Sequence, residues 1–169
     1  MVTAKQIIKF FGMKPLQGEG GYYVETYRAK EKIPEAFLPG RYTGERDFGT
    51  AILYLITTDK CSQLHRVKGD EIYHFYLGEP VTMLQLHADR SSEVITLGPD
   101  IMNGQHVQVI VPQGSWQGCL LNEGAGFALM GTTVSPGFEF RDFEQASRKD
   151  LLERYPDQRD LIVKLTREE

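Results

Sequence analysis

Apolar and polar residues alternate along most of this chain in short runs bounded by turn residues. Thr50 to Thr58 is almost entirely apolar or branched, as expected of a strand covered on both faces. Glu71 to Leu77 is strongly β-prone, and the side-chain alternation of a strand places Glu71, Tyr73 and Phe75 on one face and Ile72, His74 and Tyr76 on the other. Tyr22 to Arg28 alternates in the same way. Further short strands are predicted at 81–87, 93–97, 106–111, 115–121 and 126–133. Asp89-Arg-Ser-Ser, Gly98-Pro99, Asn103-Gly104, Pro112-Gln-Gly114 and Asn122-Glu-Gly-Ala-Gly126 separate them as turns. Many short strands at even spacing predict an all-β sandwich or barrel, not a parallel α/β sheet.

Helical periodicity is confined to the two ends. Thr3 caps a helix over Ala4 to Phe11, which Gly12 stops, with Ile7, Ile8 and Phe11 on its apolar face. Ser147, with Asp150 three residues later, caps a closing helix whose apolar face is Leu151, Leu152 and Tyr155. Pro156 interrupts it, and 157–165 forms one more helix. The Gly- and Pro-bearing segments 13–21 and 30–47 are expected as a loop and as mostly loop, and Phe138 to Phe143 reads as a last extended piece. With no repeat and no linker, residues 1–169 are expected to form a single domain.

Composition narrows the function classes. The chain has 41% hydrophobic and 25% charged residues, proportions of a soluble globular protein. Its net charge of -4, without any Lys/Arg cluster, predicts no nucleic-acid partner. No apolar run is long enough for a membrane span, and the first residues lack the order of a signal peptide. Cys61 and Cys119 form no CxxC pair and are expected as small reduced interior residues, so a cytoplasmic location is expected.

The candidate chemistry sits in Ser62 to Gly78. A segment carrying His65 and Val67 runs into a Lys68-Gly69-Asp70 turn and on into the Glu71 strand, which predicts a hairpin aiming an imidazole and a carboxylate into one interior. Histidine titrates near neutral pH, and a neighbouring carboxylate orients its ring, so His65 and Glu71 are the candidate proton-transfer pair. The same two residues also read as a satisfied buried ion pair. Tyr73 and Phe75, sharing the face of Glu71, are expected to line the cavity, and Glu139 to reach its mouth. His74 points the other way, and His87 and His106 are expected on the surface. Trp116 is expected in a structural role.

At this stretch the chain resembles the cupin superfamily, whose first motif reads G-x5-H-x-H-x3,4-E-x6-G. Glu71 and Gly78 fit its last part, His65 stands at the first histidine, and Val67 stands at the second. Pro112-Gln-Gly-Ser-Trp-Gln117 resembles the second motif, with Gln117 at its histidine position and Leu121 at its asparagine position. The chain further resembles the cupin-5 (DUF985) family through Glu19-Gly-Gly-Tyr-Tyr-Val-Glu-Thr-Tyr-Arg28, Leu64 to Gly78, Val111 to Gln117 and Val134 to Glu144. It departs from it at Pro15-Leu-Gln-Gly, where members often carry Pro-His-Pro.

The resemblance implies a double-stranded β-helix, the cupin jelly-roll barrel, with an open pocket and usually a homodimer. Of the usual metal ligands, His65, Glu71 and Gln117 remain as weak candidates. No firm cofactor is expected beyond a weakly held divalent metal, because an amide oxygen is a poorer donor than imidazole. Two functions stay open. One is an epimerase- or isomerase-like enzyme on a carbohydrate or nucleotide-sugar derivative, similar to the metal-free dTDP-4-dehydrorhamnose 3,5-epimerases, with His65 as base or acid, Glu71 as its partner and Gln117 on the substrate or completing a weak metal site. The other is a non-catalytic protein binding a small-molecule ligand with the same residues.

Overall fold

The computed structural model describes residues 2–122 and 126–167. Between the terminal helices α1 (Ala4–Phe11), α2 (Arg148–Arg154) and α3 (Arg159–Lys164) lie thirteen strands among the described residues. In chain order these are β1 (Lys14–Pro15), β2 (Tyr22–Arg28), β3 (Lys32–Ile33), β4 (Arg46–Asp47), β5 (Thr50–Thr57), β6 (Ser62–Arg66) and β7 (Asp70–Gly78). They continue with β8 (Val81–Leu86), β9 (Ser92–Leu97), β10 (Gln108–Val111), β11 (Trp116–Leu121), β12 (Phe127–Ser135) and β13 (Glu144–Gln145). Two antiparallel sheets hold most of them, ordered β1-β2-β5-β12-β7-β10 and β13-β6-β11-β8-β9, with β3 and β4 as a separate ribbon. The architecture is the expected all-β double-stranded β-helix. Part of the expected Asn122–Gly126 turn lies outside the described residues.

Side-chain alternation assigns each strand face to a layer. Tyr54 and Ile56 of β5, Tyr73 of β7, Met83 of β8, Cys119 of β11 and Met130 of β12 meet between the sheets in one core cluster. Leu55 and Leu129, one step out of phase, point outward and bury Ile7 of α1. On the other side, Leu64, Leu84 and Leu86 receive Leu151, Tyr155 and Ile162 from the closing helices. Each such buried aliphatic side chain contributes about 1.5–3 kcal/mol relative to exposure. Both helix starts follow the sequence: Thr3 and Gln6 form a reciprocal capping box, and Ser147 accepts from the Asp150 N–H.

Two expectations are corrected. The strands carrying His65 and Glu71 are not a hairpin. β6 belongs to one sheet and β7 to the other, so the 67–69 connection is a corner that crosses between sheets. Its carbonyls are spoken for by other parts of the chain. Arg41 Nε and the Tyr42 hydroxyl donate to the Lys68 oxygen at 2.7 and 3.1 Å, and the Gly114 N–H donates to Val67. With no ladder between β6 and β7, their residues confront each other across the barrel. Phe138 to Phe143 is the second correction, because Phe140–Asp142 forms a 3-10 turn.

That turn is fastened from the 30–47 segment. Arg46 is buried and grips the Asp142 carboxylate with two parallel bonds of 2.7 Å, from Nε and Nη2. Removing one partner of such a pair strands the other charge. Asp142→Ala is therefore expected to lower stability by about 3 kcal/mol, read as a shift of the urea midpoint, and an unchanged midpoint contradicts this role.

Candidate functional site

The inward rows change character along the barrel. On β7 they run Phe75, Tyr73, Glu71; on β12, Met130, Thr132, Val134; and on β5, Ile56, Tyr54, Ile52, Thr50. The first members of each row close one end as solid core. The last members leave a cavity of about 560 Å³ at the other. Glu19, His65, Glu71 and Thr132 supply its inner polar groups, and Leu16, Ile52, Val67, Val134, Phe138 and Phe143 much of its apolar wall.

His65 projects into this space from β6 and is 2% exposed. Its Nδ1 lies 2.7 Å from the Gln63 carbonyl oxygen. A carbonyl can only accept, so Nδ1 carries a proton and donates it there. Nε2 is left facing Glu19 Oε2 at 3.7 Å, and the ring stacks on Phe143 with centroids 5.1 Å apart.

Glu19 reaches the imidazole from the loop before β2. Its backbone carbonyl accepts from the Gln63 N–H at 2.8 Å, and its Oε1 accepts from the Ser62 hydroxyl at 2.9 Å. The loop can run this close because Gly20 and Gly21 follow, both at positive φ. A Cβ on Gly20 would stand 2.4 Å from the Cys61 carbonyl oxygen, and one on Gly21 would stand 2.8 Å from that of Leu55.

Glu71 faces them from the opposite sheet. Gln117 Nε2 donates to its Oε2 at 2.5 Å. Burial pushes the Glu71 carboxyl above the ordinary carboxylate range, and the negative charge of Glu19 adds to that. His65, the Thr132 hydroxyl and the Gln117 amide oppose it without cancelling it. Gln117 is fully buried on β11, with His65 as its ladder partner on β6. It does not line the cavity, and its Oε1 has no hydrogen-bond partner among the described residues.

At the rim, Arg28 donates to Glu25 at 3.0 and 2.7 Å, to Asp47 at 2.5 Å and to the Phe138 carbonyl at 3.3 Å. Glu139 lines the cavity and pairs with Arg141 at 2.7 Å. Tyr73 and Phe75 do not line it. They share the face of Glu71, as alternation requires, but lie one and two steps deeper, where Tyr73 belongs to the core cluster and Phe75 packs against it. Glu19 is the residue that the strand pattern does not reach. Its signal is the Glu-Gly-Gly triplet, whose adjacent glycines mark a backbone held close to other backbone.

The donors do not fit the metal that cupins commonly hold. His65 is the single imidazole here, Val67 brings only methyl groups, and Gln117 turns its amide nitrogen, not its oxygen, toward Glu71. Among the described residues no three His, Cys, Asp or Glu side chains gather as a metal-holding group.

Residues 5–146 match the family described as Cupin superfamily (DUF985), and the chain belongs to that family. It is similar to a Shewanella oneidensis protein of known crystal structure, at 34% identity over the whole of both chains and a TM-score of 0.87. A hypothetical protein from Leishmania major is 28% identical over 99% of this chain and all of its own, with a TM-score of 0.89. Oxalate decarboxylase from Bacillus subtilis, at 13% identity over 94% of this chain and 38% of its own, shares the fold at a TM-score of 0.54. Among curated proteins none matches.

The raised Glu71 carboxyl has a consequence for stability. The folded state holds this proton more tightly than the unfolded state, so Glu71 costs stability as pH rises from the ordinary carboxylate value of 4.5 toward its folded value. Glu71→Gln removes that cost. The stability of the variant relative to the unaltered protein is expected to improve as pH rises through this window, measured by urea unfolding. A difference that is flat or falling with pH contradicts the assignment.

Proposed function

We propose that the cavity binds a small polar metabolite and transfers a proton at a carbon next to its carbonyl, an epimerase- or isomerase-like reaction on a carbohydrate derivative. The observation that carries this is the state of His65. The Gln63 carbonyl fixes Nδ1 as the protonated nitrogen, so the Nε2 lone pair faces the cavity as a base.

In the proposed step, Nε2 takes the proton from the carbon. The electron pair of that C–H bond moves into a carbon–carbon double bond, and the carbonyl π pair moves onto oxygen. Glu71 is the group suited to meet that oxygen. Its raised affinity for a proton favours the neutral form that can donate, while Glu19 stabilises the imidazolium formed on His65. Nε2 then delivers its proton to the former carbonyl carbon while the hydroxyl on the first carbon gives its proton to the Glu71 carboxylate, which completes an isomerisation, restores both groups and consumes no co-reactant. Gln117 holds Glu71 in place from below and does not reach the substrate. The aromatic walls, Phe138 and Phe143, suit the carbon face of a sugar ring.

The test is a panel of aldoses, ketoses and their phosphates incubated with the protein in D2O and followed by proton NMR. At least one member is expected to exchange its α-proton for deuterium. His65→Gln is expected to slow this by roughly 10²–10⁴-fold, the usual contribution of a general base, with ligand affinity held within about tenfold. Binding without exchange by the unaltered protein, or exchange undiminished in His65→Gln, rejects the reading.

A further inference from the structure

The charges around the cavity narrow the ligand beyond "small and polar". Four carboxyl groups line it, from Glu19, Glu25, Glu71 and Glu139, against the one guanidinium of Arg28. That guanidinium is committed. Nε and Nη2 are spent on Glu25, Nη1 on Asp47, and Nη2 also reaches the Phe138 carbonyl. An anionic ligand would find no uncommitted cation on this wall. The outer carboxylates are committed too, Glu25 to Arg28 and Glu139 to Arg141.

Glu19 is different. Its Oε1 accepts from Ser62, but its Oε2 has the His65 ring nitrogen at 3.7 Å, beyond hydrogen-bond length. The Glu19 side chain is 13% exposed, in a cavity walled partly by aromatic rings. A carboxylate with no cationic group within hydrogen-bond length among the described residues, set beside aromatic faces, favours an ammonium group over a hydroxyl.

We propose that the ligand of this cavity is a small amine, its ammonium group bound by Glu19 Oε2. The inference rests on the cavity's being the ligand site, and it adds the chemical class: an amino-sugar-like compound, not an acidic or neutral one.

The experiment compares three probes of one skeleton, glucosamine, glucose and glucuronate, by NMR titration of the protein at low ionic strength. Glucosamine is expected to bind about tenfold or more tightly than glucose, the ratio that one partly screened charge contact supplies, and glucuronate more weakly still. Glu19→Gln is expected to erase the preference for glucosamine while leaving the weak affinity for glucose. Should that variant not fold, added salt must weaken glucosamine binding to the unaltered protein and leave glucose binding unchanged. Equal binding of the three, a preference for glucuronate, a preference that survives Glu19→Gln, or no glucosamine binding at tens of millimolar overturns the proposal. The two readings fail separately. An amine preference without deuterium exchange sustains this inference alone, and exchange without an amine preference sustains only the proton transfer.

Discussion

The site depends on one close approach of backbone to backbone. The loop before β2 crosses the barrel mouth near enough for the Glu19 carbonyl to accept from Gln63 and for the Gly20 carbonyl to accept from the Tyr54 hydroxyl at 3.0 Å. Gln63 lies on β6 of one sheet and Tyr54 on β5 of the other, so the loop is tied to both halves of the barrel. Gln63 serves twice. Its N–H holds the loop that carries Glu19, and its carbonyl holds the imidazole that Glu19 faces. The two adjacent glycines are what allow this contact, since any side chain would meet carbonyl oxygen.

Much of this was legible in the amino-acid pattern, and the failures have a common cause. Alternation within β7 correctly put Glu71, Tyr73 and Phe75 on one face, and the terminal caps behaved as local chemistry dictates. Alternation does not say how deep along the barrel a residue lies, which is why Tyr73 and Phe75 became core instead of cavity wall. Nor does it say whether two consecutive strands pair. The 67–69 turn has hairpin composition, yet it is a corner because its carbonyls are taken by Arg41, Tyr42 and Gly114 from distant parts of the chain. Glu19 sits in a segment without periodicity, where only the glycine pair hints at its placement.

Compared with the cupin motifs, the cavity has exchanged character and kept its form. Val67 and Gln117 stand where histidines would, and a carboxylate from outside both motifs faces the remaining imidazole. Glu71 feels this enclosure: its proton affinity rises chiefly because the carboxyl is buried, and the Glu19 charge adds to that. Replacing nitrogen ligands by an apolar group and an amide lowers affinity for a divalent ion. It leaves one imidazole and two inner carboxyl groups in one enclosure. The proposed reaction and the proposed ligand both draw on that arrangement.

The most direct measurement is the tautomeric state of the His65 ring, read from the ¹⁵N shifts of its two nitrogens by NMR. The account predicts the neutral tautomer with the proton on Nδ1, held by the Gln63 carbonyl, and a bare Nε2. A ring protonated on Nε2, with Nδ1 bare, contradicts it.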